Sequence, residues 1–183
     1  MNKLFLLLPL ALLLFTQGFA QKQLTRTGTI TFFSSTPVED IEAVNNQVTS
    51  VINPEKGEMA FAVLMKAFQF EKALMQEHFN EKYVHSDKFP KATFAGKITD
   101  MDAVNFQEDG TYPVKVVGKL TIHGITQEVE VEGTIQVVGG NLSAEAELPI
   151  VLEDFDIKVP SVVRENIAKV IMANVQMAYK PQS

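Results

Sequence analysis

The chain has 183 residues, 46% of them hydrophobic, a formal charge of −6 at neutral pH, and neither cysteine nor tryptophan. That length suits one domain with a single core, and the missing cysteine excludes disulfides and a lipidated N-terminal cysteine. The balance of 22 acidic against 16 basic side chains opposes nonspecific binding to nucleic acid or to anionic lipid surfaces.

Residues 1–20 read as a signal peptide. Asn2 and Lys3 make a short basic start, Leu4 to Phe15 are apolar apart from Pro9, and Gly18-Phe19-Ala20 places small residues before Gln21. The apolar run is short for a bilayer span. The expected product is an exported protein, periplasmic or secreted, with one domain over 21–183 and no integral membrane segment after cleavage.

From there the hydrophobic pattern alternates with a period of two, broken at turn residues. Strands are predicted at about 26–35, 41–52, 58–67, 91–100, 111–122, 127–138, 141–151 and 168–180. Asn53 to Gly57, Glu108-Asp109-Gly110 and Gly139-Gly140-Asn141 supply the clearest punctuation. Residues 71–79 break the rhythm: good helix formers with Leu74, Met75 and Phe79 on one stripe predict a short helix, followed by a loop from Asn80 to Pro90. Pro160 at the start of a further segment to Ile167 suits the first position of a helical turn. Eight antiparallel strands with one short helical insertion predict an all-β fold, a closed eight-stranded barrel that removes exposed sheet edges.

The most informative stretch runs from Gly118 to Gly133, GKLTIHGITQEVEVEG. Val116, Gly118, Leu120 and Ile122 share one face, and Val129, Val131, Gly133, Ile135 and Val137 share the matching face of the next run, with Glu128, Glu130 and Glu132 opposite. This is the pattern of an antiparallel hairpin over an apolar interior. Its wording, Gly-x-Leu-Thr-Ile-His-Gly-Ile-Thr followed by alternating aliphatics, resembles the signature of the YceI-like family, and Phe89-Pro90-Lys91-Ala92-Thr93-Phe94 is similar to the end of that family's insertion. Many members open with a tryptophan and an Asp-x-x-His-Ser segment, whereas this chain begins its first strand with Thr25-Arg26-Thr27-Gly28. The resemblance implies an envelope protein with a lipocalin-like barrel that binds polyisoprenoid or other lipid chains.

On the inward parity, Phe32, Met59, Phe61, Met65, Phe94, Leu120, Val131, Ile171 and Met177 are candidate lumen residues, and Gly118 and Gly133 lack side chains that would fill it. An eight-stranded barrel is just wide enough to be filled by side chains or to hold one small ligand. The inward glycines tip that balance toward a cavity, with relief of strand coiling as the alternative reading. Leu74, Met75 and Phe79 are the candidate lid. His85, Lys88, Lys91 and Arg164 are candidate head-group contacts at the mouth. His78, His85 and His123 lack metal-ligand spacing, the Glu153 to Asp156 cluster lacks a calcium-loop pattern, and no serine sits in a nucleophile motif. The expectation is a monomeric or weakly dimeric carrier of a long apolar lipid, without metal, cofactor or catalytic residues; a ligand-free structural or adhesion module stays open beside it.

Overall fold

The computed structural model describes residues 22–181; the signal-peptide expectation falls on residues outside that range. Ten strands occur in chain order: β1 (Gln23–Ser35), β2 (Asp40–Asn53), β3 (Glu58–Leu64), β4 (Gln69–Phe70), β5 (Lys91–Ile98), β6 (Gly110–Ile122), β7 (Ile125–Val138), β8 (Asn141–Val151), β9 (Val170–Ala178) and β10 (Lys180–Pro181). The eight long ones pair antiparallel in the cyclic order β1-β2-β3-β5-β6-β7-β8-β9, and β9 returns to β1. The result is the expected closed barrel, with the two-residue strands β4 and β10 as small additions to its rim.

Strand direction sorts the connections by end. Turns and loops 36–39, 65–90, 123–124 and 152–169 all gather at one end, whereas 54–57, 99–109 and 139–140 lie at the other. The second end is plugged by side chains: Val48, Ile52, Ile98, Val104, Phe106, Ile135, Val137 and Leu142 are buried there. Tyr179 closes this plug, its hydroxyl 2.9 Å from Ser50 Oγ, and burial pushes its pKa up to about 12.

The first end is covered by the insertion between β3 and β5. Helix α1 (Ala73–His78) forms where expected, and the chain then continues as a π-type turn over Phe79–Tyr83 instead of entering a loop at Asn80. Asn80 makes the continuation possible, because its Nδ2 donates to Gln76 O at 2.8 Å. Phe79 packs against Phe32, Phe68 and Phe70 with ring centroids 5.1–5.7 Å apart, so an aromatic cluster fixes the cap to β1.

The β6–β7 turn shows what its motif does. His123 and Gly124 both have positive φ, +52° and +79°, which is the two-residue turn whose twist matches a hairpin. A side chain at Gly124 would meet the Phe89 ring at 2.5 Å, so the glycine allows both the backbone and the close approach.

Candidate functional site

The barrel encloses an apolar cavity of about 370 Å³, within the range of small-molecule sites. Phe32, Met59, Phe61, Met65, Phe94, Leu120, Val131, Gly133 and Ile171 all line it, joined by Ile30, Val63, Val116, Leu148, Ile150 and Val175 from neighbouring strands. Period-two alternation brings the strand residues together on the inward parity, whereas Met65 reaches the cavity from the 3-10 turn Met65–Ala67, because β3 ends at Leu64 and not at residue 67.

Two candidates on the same parity stand elsewhere. Gly118 pairs with Gly96 across β5 and β6, and the Phe94 ring lies over both; an added Cβ at Gly118 would be 2.5 Å from Ala95 O, 2.5 Å from Gly96 Cα and 2.7 Å from the ring. The space above this glycine pair is already filled by an aromatic ring, so Gly118 is absent from the lumen wall and borders instead an open depression on the outer wall with Ala60, Ala95, Val117 and Lys119. Met177 is buried over Gly28, where its sulfur occupies the place of a side chain, and it belongs to the plug. Gly133 differs from Gly118 in facing the cavity, beside the small Ala146.

The cap residues divide as well. Met75 and Phe79 touch the cavity, with Phe68, Phe70, Tyr83 and Val84, but Leu74 points to solvent at 60% exposure. Six residues of α-helix present one narrow face, and Leu74 is one step off it.

None of the four head-group candidates reaches the cavity. His85 Nδ1 lies 2.8 Å from His123 Nε2, whose ring is in turn held by Nδ1 at 3.0 Å from Phe155 O. Both histidines therefore tie cap segments to one another. Lys88 stacks its ammonium 5.0 Å from the Phe89 ring centre, Lys91 has the outward parity of β5, and Arg164 ends an exposed turn at Ser161–Val163. The polar side chains that do border the cavity at the cap are Ser34, Glu39, His78, Tyr83 and Asn166. Glu39 bridges Lys72 and Asn166, each at 3.2 Å, and the Lys72 hydrogen bond, seconded by Asn166, holds its carboxyl below the usual range. Among the described residues, no lysine or arginine lines the cavity. Glu39 and Asn166 come from loops 127 residues apart, joined only by the topology, and no local motif announces them.

Among the described residues no cluster of three metal-ligating side chains occurs and no helix is long and apolar enough to cross a membrane.

The barrel fold is shared by known structures. A polyisoprenoid-binding domain from Saccharophagus degradans implicated in plant cell wall breakdown superposes with a TM-score of 0.76 at 14% identity, over 89% of this chain and 99% of that one. BcnA of Burkholderia cenocepacia gives 0.68 at 18% identity, over 84% and 96%. The Campylobacter jejuni YceI protein gives 0.57 at 15% identity, over 76% and 83%. At such identities the likeness establishes a common fold. No match is found among curated proteins. The family model described as YceI-like domain matches residues 19–180, nearly the whole chain, and the protein is a member of the YceI-like family.

Proposed function

We propose that this protein is an exported carrier that sequesters one long apolar molecule in the barrel lumen, a polyisoprenoid, an isoprenoid quinone or a fatty-acid derivative with an uncharged head. The observation that carries the reading is the cavity of about 370 Å³ walled by aliphatic, aromatic and thioether side chains. Methionine and phenylalanine adapt to a conformationally varied chain, and each buried methylene adds about 0.8 kcal/mol before ordering costs. The domain from Saccharophagus degradans, described as polyisoprenoid-binding, supports this class of ligand.

The head-group preference follows from charge. Among the described residues the cavity is bordered by the carboxylates of Glu39 and Glu145 and by no lysine or arginine, the nearby Lys72 being engaged by Glu39, so a phosphate or carboxylate head entering this apolar space would lose hydration without gaining a cationic partner. A hydroxyl, amide or quinone head can be satisfied by Ser34, His78 or Asn166 near the cap. The same walls offer no nucleophile with an adjacent base, which favours binding over catalysis.

The test is competition between a long-chain alcohol and the fatty acid of equal length for the purified protein, with Ile30→Trp as a lumen-filling variant. Ile30 lines the cavity from β1, and the indole would occupy ligand volume. The alcohol should bind at least tenfold more tightly than the acid, and Ile30→Trp should lose affinity for both while keeping its β-sheet circular dichroism. Equal affinity for the acid would refute the uncharged head; unaltered binding by the folded variant would refute the lumen.

A further inference from the structure

The barrel is closed by topology but not by hydrogen bonding along its whole height. Pairing between β7 and β8 runs only from Gly133↔Ala146 to Val138↔Asn141. A full ladder would continue with Glu132 opposite Glu147 and Val131 opposite Leu148. Among the described residues, no ladder pair joins Ile125–Glu132 to Glu147–Val151. By contrast, β7 is paired with β6 over its first thirteen residues, Ile125 to Val137, and β8 with β9 from Ser143 to Val151. On these two strands the unpaired edges are therefore the ones that face each other. Its upper limit is the bond from Gln127 Nε2 to Asp154 O at 2.8 Å, and its foot is Gly133. The six residue steps from Gln127 to Gly133 rise by about 3.4 Å each, so the slit is roughly 20 Å long along the strand.

The cavity reaches this slit. Its walls include Val131, Gly133 and Thr134 on one side and Glu145, Ala146 and Leu148 on the other. Thr134 and Glu145 are paired on the outward parity of their strands, and their presence in the wall brings the cavity to the outer surface. The foot is built from a glycine and an alanine, so no large side chain bars it.

A second seam is also left unladdered toward the cap, and there the gap is filled. Pairing of β2 with β3 stops at Thr49↔Ala62, but β4 pairs with β2 at Ala43↔Phe70 and Val44↔Gln69, and Asn45 Nδ2 donates to Leu64 O at 2.9 Å. The cap itself is held on one side by Glu39 with Lys72 and Asn166 and on the other by the His85–His123–Phe155 chain.

We propose that the open β7–β8 seam is the ligand portal, through which a long, uncharged chain passes sideways into the lumen while the cap stays in place. This rests on the lumen being the binding site. The outward neighbours of the slit are Glu128, Glu130 and Glu132 on β7 and Glu147, Pro149 and Val151 on β8; Lys115 pairs with Glu130 at 2.8 Å and approaches Glu132 at 3.9 Å, and the negative excess that is left disfavours the approach of an anionic head.

Because the chain has no cysteine, the seam can be tied from outside. Glu132→Cys with Glu147→Cys places two thiols at exposed positions flanking the slit, to be joined by a short bis-maleimide; Ala95→Cys with Lys119→Cys, a directly paired outward couple on the closed β5–β6 seam, is the control. Uptake of a pyrene-labelled long-chain alcohol from phosphatidylcholine vesicles is followed before and after linking, with linkage verified by intact mass and fold by circular dichroism. The portal predicts uptake slowed at least tenfold by the β7–β8 link and changed less than twofold by the control link. Less than tenfold slowing by a complete β7–β8 link, or equal slowing by both links, overturns it. Failure of the unlinked wild-type protein to take up the alcohol at all overturns the lumen reading, and the portal falls with it; that result is distinct from uptake that ignores the link.

Discussion

Tyr179 and Ser50 show how much a single buried polar pair contributes at the plugged end. The phenol is buried and its folded-state pKa is about 12, against about 10 when unfolded. Above pH 10 the unfolded chain therefore releases this proton first, and stability falls as pH rises toward 12, by about 1.4 kcal/mol per unit in that window. Denaturant unfolding at pH 8 and pH 11 should show this loss in the wild type and less of it in Tyr179→Phe. The variant should also be less stable at pH 8, by about 1–3 kcal/mol, because Ser50 Oγ is left without its partner in a fully buried site. Gly118 makes the opposite point. Alternation placed it inward, but nothing local reveals that the Phe94 ring, two residues before its cross-strand partner Gly96, lies across the glycine pair. Gly118→Ala should therefore cost roughly 1–3 kcal/mol of stability by overpacking against backbone, measured by chemical unfolding, with no loss of lumen volume.

At the scale of elements, alternation suffices to place the eight long strands, because each has one wet face and one apolar face and the turns carry Gly, Asn, Asp or Pro. The helix at Ala73–His78 is equally legible from its composition. The π-type turn over Phe79–Tyr83 is not, since it depends on Asn80 reaching back to Gln76 and on Phe79 finding three aromatic partners from β1, the loop before β4, and β4. The open seam is invisible to the sequence for a different reason: β7 alternates in the same way whether its second edge is paired or bare. Pairing has a direct signature in hydrogen exchange. In the Ile125–Glu132 half of β7, amides directed at β6 should be protected, and the alternate ones, facing the slit, should exchange rapidly. Residues Gly133–Val137, paired on both sides, should be protected throughout. Uniform protection along β7 would mean that the seam is closed.

For the whole molecule, the barrel divides into a packed half and a hollow half. Fully buried Val48, Ile52, Ile98, Ile135 and Val137 anchor the first, while the second is held by strand pairing, an aromatic cap and polar ties, and leaves its interior to the cavity. The luminal set was largely legible because parity determines which side chains face inward. The polar border was not, since Glu39 and Asn166 come from two separate loops and His78 from the end of α1, and only the closed topology brings them to one rim. A protein that keeps such an apolar space in water gains most by having it filled. The central claim is accordingly tested by mass spectrometry of an organic extract from protein purified gently and without detergent, quantified against protein. The account predicts close to one equivalent of a long-chain lipid with an uncharged head, absent from an extract of Ile30→Trp prepared in parallel. An extract with no stoichiometric lipid, from a protein that also binds no long-chain alcohol when it is offered, would contradict the carrier reading and leave the barrel as a ligand-free structural module.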